Sequence, residues 1–311
     1  MYKLGSLDLP NEIYNWLTHY FHKRGHITKH SGILSAAAEI NASVVQGSGI
    51  GSGSYNVGAS DLHPLHDFNV MLKYADDTYL IVGSNNISTA TAELDHVSIW
   101  AKENNLCLNS SKTREMIVFK RGRSRIPLPP RIVPGAERVD SIRVLGVTIS
   151  SELSMTPHLT EVVSSCASSM YALRVLRSHG LPPSAIQQVA RMTTVATLMY
   201  ASPAWWGYTQ ASDRARMEQL VNKLKRYGFL PTTAPTVQQM AAKADDSLFR
   251  AVITNESHVL RSFLPESRSH SYNLRTRVHG YKLPPKDDRN FIPRMLYKNI
   301  IILTVYKFPN E

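Results

Sequence analysis

Apolar positions along this chain follow two different periods, and the change between them lies near residue 150. Before that point, short runs rich in aromatic and β-branched residues predict strands at Phe68 to Tyr74, Thr78 to Gly83 and Met116 to Phe119. Two longer stretches, Pro10 to Arg24 and Thr89 to Asn105, repeat apolar residues at the spacing of an amphipathic helix.

After residue 150 the apolar pattern becomes helical throughout. Helices are predicted at His158 to Arg177, Ser184 to Tyr200, Ser212 to Tyr227 and Val237 to Ile253. Proline-containing breaks separate the first three of them, at Gly180 to Pro183 and Ala201 to Pro203. Strands followed by helices indicate an α+β fold.

Two adjacent carboxylates, Asp76 and Asp77, lie between the first two predicted strands, within Lys73-Tyr-Ala-Asp-Asp-Thr78. Paired acids on a tight turn suit Mg²⁺, which prefers hard oxygen ligands. The alternative is a solvated turn, since Asp is an ordinary turn residue. A second Ala-Asp-Asp triplet, at Ala244 to Asp246, falls in a helical run and is interpreted as solvated helix surface.

Composition narrows the class of partner. The 311 residues carry a formal net charge of +11 and are 43% hydrophobic, which is typical of a folded protein with a polyanionic partner. A membrane partner is not predicted, because Ile300 to Tyr306, the longest apolar candidate, is too short to span a bilayer. The start of the chain is unlike a signal peptide, and its two cysteines are too few for a disulfide framework. An intracellular location, in cytoplasm and nucleus, is therefore expected.

Four motifs occur in order around the acidic pair. Ser43 to Gly51 contains Gln46-Gly47, the hairpin contains Tyr74-Ala-Asp-Asp77, Asn105 to Thr113 reads Asn-Leu-x-Leu-Asn-x-x-Lys-Thr, and Val144 to Val147 contains Leu-Gly. This ordered set resembles the reverse transcriptases of non-LTR retrotransposons, close to the jockey-like elements.

The resemblance implies an RNA-directed DNA polymerase with an RNA template, a DNA primer, deoxynucleotides and Mg²⁺ or Mn²⁺. It implies a partial right-hand palm over residues 1–150, a helical thumb over 151–230 and a helical, basic C-terminal extension over 231–311. No RNase H or endonuclease region is visible.

The resemblance also assigns roles to single residues. Asp76 and Asp77 would form the metal site, with Lys112 supplying a proton or positive charge to the departing pyrophosphate. The residues expected to contact nucleotide, template or primer are Tyr74, Gln46, Gly47, Asn109, Leu145 and Gly146.

Several segments remain open between a functional and a structural interpretation. The cluster Lys120, Arg121, Arg123 and Arg125 is either a phosphate contact or a solvated loop. Gly47 to Gly58 is either a flexible loop or a turn that lets backbone approach a nucleotide. Ala204 to Tyr208 is expected in the core rather than stacked on bases, and Ser267 to Lys286 is expected to be a solvated basic tail.

Departures from the family pattern affect the expected activity. Val45 and Ser52 replace the family's prolines around Gln-Gly. The family's first catalytic Asp lies on a strand that has no counterpart before Pro10, and Asp8 is interpreted as a residue at the start of a helix. The chain is therefore expected to be N-terminally truncated and inactive alone. The alternative is a non-catalytic, basic nucleic-acid-binding remnant of a mobile element.

Overall fold

The computed structural model describes residues 2–40, 48–119, 132, 135–267 and 279–298. The chain divides into two compact units. The first comprises Met1–Glu115 with Pro127–Arg138, and the second comprises Met116–Ile126 with Val139–Glu311.

The first unit combines short helices with two-stranded ladders. Its elements are α1 (Tyr2–Gly5), α2 (Asn11–Phe21), β1 (Gly25–His26), β2 (Lys29–His30), β3 (Ile33–Leu34), β4 (Ala38–Glu39), α3 (Gly51–Gly58), β5 (Val70–Tyr74), β6 (Asp77–Ile81), a 3₁₀ turn (Ser84–Thr89), α4 (Ala90–Glu103), β7 (Arg114–Glu115) and β8 (Glu137–Arg138). Strands β1 and β4, β2 and β3, and β5 and β6 pair antiparallel, whereas β7 and β8 pair in parallel.

The second unit is one antiparallel hairpin followed by helices. Its elements are β9 (Ser141–Val144), β10 (Val147–Ser150), α5 (Thr156–Ser178), α6 (Pro183–Ala190), a π turn (Arg191–Val195), α7 (Ala196–Met199), α8 (Ser202–Trp205), a 3₁₀ turn (Trp206–Tyr208), α9 (Ala211–Arg226), α10 (Val237–Thr254), a 3₁₀ turn (Arg261–Phe263) and α11 (Phe291–Tyr297). The four helices predicted after residue 150 are thus confirmed, the second of them running through the π turn from α6 to α7.

The two units differ in how well they cover apolar side chains. The second has a continuous core in which Leu159, Trp205 and Phe229 are almost fully buried, and Trp206 is buried as well. The expected core position of the tryptophan pair is confirmed. In the first unit, by contrast, Ile33 on β3 is 75% exposed, because a two-stranded ladder cannot cover both of its faces. Phe68, which lies before β5, is 91% exposed.

Three expectations about local structure are wrong. Strand β5 begins at Val70, because Phe68 has φ of +69°, a left-handed conformation incompatible with a strand. Residues 51–58 form helix α3 rather than a loop, although the segment is rich in glycine and serine. The strand near residue 116 is β7, which ends at Glu115.

Among the described residues, no helix combines the length and apolar character that crossing a bilayer requires.

Candidate metal and nucleotide site

The acidic pair occupies the turn of the β5–β6 hairpin. In this ladder Val70 pairs with Ile81 at one end and Tyr74 pairs with Asp77 at the other. Ala75 and Asp76 are therefore the two residues of the turn. Ala75 has φ of +51°, a left-handed conformation that costs an L residue about 1–2 kcal/mol. The predicted hairpin is confirmed, and it holds the acids at its tip on a strained turn.

Both carboxylates face solvent. Asp76 and Asp77 are exposed, and the Tyr79 hydroxyl donates a long hydrogen bond of 3.5 Å to the Asp77 carboxylate. Tyr74 lies opposite Asp77, so the two side chains share one face of the ladder. Burial and the negative charge of Asp76 raise the pKa of Tyr55 on α3. The tip therefore combines two accessible acids with nearby aromatic groups.

Glu93 fixes the segment that leads into β5. This α4 side chain is fully buried, and its carboxylate accepts hydrogen bonds from the Leu65 and His66 amides at 2.9 Å each and from Asn69 Nδ2 at 2.9 Å. Burial opposes ionisation, but these donors outweigh it and lower the pKa of Glu93 to about 2. A buried carboxylate thus sets where the hairpin starts.

Two lysines close the C-terminal end of α3. Lys73 Nζ on β5 donates to the carbonyl of Ala59, the C-cap residue, at 2.5 Å and to the Leu62 carbonyl just beyond at 2.9 Å. Lys3 Nζ donates to the Gly58 carbonyl at 2.6 Å. Cations are favoured there because the last carbonyls of a helix are unpaired and carry partial negative charge. Lys3 also pairs with Asp61 at 2.7 Å. The Lys73 contact to Ala59 ties the β5–β6 hairpin to the end of α3.

The turn after α4 is organised by Asn109. Its Oδ1 accepts from Ser111 Oγ at 2.7 Å and from the Lys112 amide at 3.2 Å, an arrangement typical of Asx turns. Lys112 is exposed, and no hydrogen bond or ion pair joins it to Asp76 or Asp77 within the described residues. Asn109 therefore has a structural task, whereas the Lys112 ammonium is accessible to a ligand.

The Leu-Gly motif forms the turn of the β9–β10 hairpin, in the second unit. Leu145 has φ of +46° and Gly146 φ of +88°. The Tyr200 hydroxyl donates to the Leu145 carbonyl at 3.1 Å, and a Cβ on Gly146 would lie 3.2 Å from the Tyr200 ring. This tyrosine, at the end of α7, holds the tip of the hairpin.

The remaining predicted site residues lie outside the described part of the chain. They are Gln46, Gly47, Lys120, Arg121, Arg123 and Arg125.

Glu93 and Tyr200 were missed by sequence reasoning, and only the first had a local signal. Glu93 stands on the stripe of α4 that also contains Ala90 and Ala101, both buried, and an acid among buried positions at helical spacing indicates a paired or capping carboxylate. Tyr200 depends on a contact between residues 55 positions apart, which no local pattern encodes.

The acidic pair suits one divalent ion rather than a complete two-ion site. Mg²⁺ is commonly held by one or two carboxylates together with substrate phosphates and water. Among the described residues, no group of three or more His, Cys, Asp or Glu side chains could hold a metal ion. Asp76 and Asp77 could therefore supply ligands for an ion only if a bound nucleotide or another acid completes its shell.

The second Ala-Asp-Asp triplet behaves differently from the solvated surface expected of it. It lies on helix α10, as predicted, but Asp245 is only 5% exposed and accepts from Arg294 Nη2 at 3.1 Å. Asp246 is half exposed and pairs with Lys298. The prediction is wrong for Asp245, because α11 packs on α10 and covers it.

Comparison with known proteins identifies two similar chains, both from Drosophila melanogaster. An RNA-directed DNA polymerase from mobile element jockey is 28% identical over 176 residues, which cover 52% of this chain and 19% of that protein. A probable RNA-directed DNA polymerase from transposon BS is 24% identical over 230 residues, covering 70% of this chain and 25% of that protein. The chain thus spans about a quarter or less of these relatives. No family model and no solved structure matches it.

Proposed function

We propose that this chain, a relative of the RNA-directed DNA polymerases of jockey-type mobile elements, carries the metal-binding hairpin and the primer-supporting hairpin of a reverse transcriptase. The observation that carries the proposal is the pair of exposed acids at the β5–β6 turn. The order of motifs around these acids, which resembles that of such polymerases, supports a metal site over an ordinary solvated turn.

In this proposal each residue has a chemical task. Asp76 and Asp77 hold Mg²⁺ or Mn²⁺, which when bound neutralises the phosphate charge that develops as a nucleotide is joined to the primer. Tyr74 presents its ring beside the acids to the primer end and the incoming nucleotide. Lys112 provides positive charge toward the departing pyrophosphate, and the Leu145–Gly146 turn supports the primer backbone.

The proposed architecture follows from these tasks. The first unit would be part of a polymerase palm, and the helices of the second unit would be the thumb and a helical extension. The template would be RNA, the primer DNA and the substrates deoxynucleotides.

Polymerase activity of the chain on its own is expected to be very low. Two-ion phosphoryl transfer needs ions about 4 Å apart with shared ligands, and the described residues place no third acid with Asp76 and Asp77. The same observation favours the second candidate function, a basic nucleic-acid-binding protein without catalysis.

A chimera distinguishes the two candidates. The matched region of the jockey polymerase is replaced by this chain, and primer extension on an RNA template is measured with Mg²⁺ or Mn²⁺. We expect incorporation that is abolished by Asp76→Ala and retained in Asp95→Ala, a matched change of an exposed acid on α4. A silent chimera that still binds primer and template would favour the non-catalytic function. Incorporation by the isolated chain that disappears in Asp76→Ala would contradict its expected inactivity.

A further inference from the structure

A concentration of positive charge lies where α5 and α9 end, in the second unit. Arg174 and Arg177 belong to the last two turns of α5, and the last turn of α9 contributes Lys223, Lys225 and Arg226. We call these five residues the basic helix-end surface. Four of them are exposed, and Lys225 is partly buried.

The two arginines converge on the turn that follows α9. The Arg174 guanidinium lies 4.8 Å from the centre of the Tyr227 ring, and the Arg177 guanidinium lies 5.0 Å from the centre of the Phe229 ring. Arg177 Nη1 also donates to the Tyr227 carbonyl at 2.9 Å. Stacking restricts the guanidinium planes before any ligand arrives, yet most of their N–H donors remain available.

No acid in the described part of the chain neutralises this surface. The sequence contains no Asp or Glu between Glu161 and Asp213, nor between Glu218 and Asp245. Within the described residues, none of the five side chains forms an ion pair with a carboxylate.

Helix-end electrostatics account for only part of this charge. The C-terminus of a helix carries a partial charge of about −0.5, so two helix ends offset roughly one positive charge. The surface has five cationic side chains. Most of its positive charge is therefore available to an external anion. Several cations at two adjacent helix ends suit a ligand with regularly repeated negative charges.

We infer that the basic helix-end surface binds the phosphate backbone of a nucleic acid. The inference rests on the proposed function for the identity of its ligand, and it assigns backbone contact to residues other than Lys120, Arg121, Arg123 and Arg125. Stacked arginines suit phosphate oxygens because their planar N–H edges can contact two oxygens at once.

Binding of a labelled 20-base-pair DNA duplex at several salt concentrations tests this assignment. The variant carries Lys223→Gln with Arg226→Gln, because neither side chain forms a hydrogen bond, ion pair or ring contact within the described residues. The matched control carries Lys243→Gln with Arg250→Gln, which removes the same charge from exposed positions of α10, next to Asp245 and Asp246.

Each lost phosphate contact lowers the slope of log affinity against log salt by about 1. We expect the Lys223/Arg226 variant to lose about 2 from the slope magnitude and the Lys243/Arg250 control to keep the wild-type slope. Arg174→Lys, which keeps the charge but loses the planar stack, should weaken binding with little change in slope.

Two results would overturn the inference, and they differ in meaning. Equal slopes for the variant and its control, with normal wild-type binding, would reject this surface while leaving the proposed function intact. A wild-type chain that does not bind the duplex would reject the inference together with the non-catalytic nucleic-acid-binding function, and the chimera would still test the polymerase function.

Discussion

A buried carboxylate, Glu93, joins α4 to the segment that leads into β5. Glu93 receives two backbone amides and the Asn69 side chain, all from the segment just before β5. Its pKa of about 2 lies below the ordinary value of 4.5, so ionisation stabilises the folded unit.

Glu93→Gln should destabilise the first unit by about 3 kcal/mol at neutral pH, because an amide cannot accept all of these hydrogen bonds. Since the folded-state pKa is lowered, this stabilisation is present above pH 4.5 and is lost as pH falls toward 2. Urea unfolding at pH 7 and pH 3 measures both effects. Glu103→Gln, at an exposed position of the same helix, should change stability by less than about 0.5 kcal/mol. Equal losses in the two variants would contradict the assigned role.

The adjacent acids of α10 provide a second residue-scale prediction. Asp245→Ala should cost about 3 kcal/mol, because it leaves the partly buried Arg294 without its carboxylate partner. Asp246→Ala removes a more exposed pair with Lys298 and should cost about 1 kcal/mol or less. Thermal unfolding of the two variants measures the difference, and similar losses would show that α11 does not depend on the Asp245–Arg294 pair.

Elements whose structure is set by local sequence were predictable, and those set by distant contacts were not. The β5–β6 hairpin followed from strand-forming residues on both sides of a two-residue turn, and α4, α5, α9 and α10 followed from apolar spacing. The burial of Asp245 depends on α11, about 50 residues later, and could not be read from α10 alone. Helix α3 is an exception among the local elements, because its glycine content is ordinarily unfavourable in helices and concealed it.

Hairpin β9–β10 offers a test of how its turn is held. Gly146→Ala places a Cβ 3.2 Å from the Tyr200 ring at a residue with φ of +88°. Gly180→Ala is the matched control, because Gly180 has φ of +84° but an added Cβ there would meet no atom within 4 Å. Both variants should lose about 1–2 kcal/mol through backbone strain, and Gly146→Ala should lose more because of the contact with Tyr200. Equal unfolding free energies of the Gly146→Ala and Gly180→Ala variants would show that Tyr200 does not support the turn.

At the scale of the whole molecule, the two units combine different properties. The first carries the acidic hairpin and several exposed apolar side chains, whereas the second has the larger core and the basic helix-end surface. The net charge of +11 predicted a polyanionic partner, but not which face would carry the charge, because that depends on α5 and α9 ending side by side. The proposed metal site is also only partly predictable. The sequence indicates the two acids, but not the groups that would complete the coordination shell of an ion.

Binding of Mn²⁺ is the most direct test of the central claim, that Asp76 and Asp77 form a metal site for nucleotide chemistry. Electron paramagnetic resonance, with Mn²⁺ titrated into the chain together with a deoxynucleotide, primer and RNA template, counts the ions bound beyond those that the same mixture binds without the chain. Because the chain supplies two carboxylates, we expect the extra ion to bind weakly and to depend on the phosphates of the nucleotide. The bound ion should be lost in Asp76→Asn with Asp77→Asn and retained in Asp95→Asn. Binding that is unchanged in the Asp76/Asp77 variant would contradict the account.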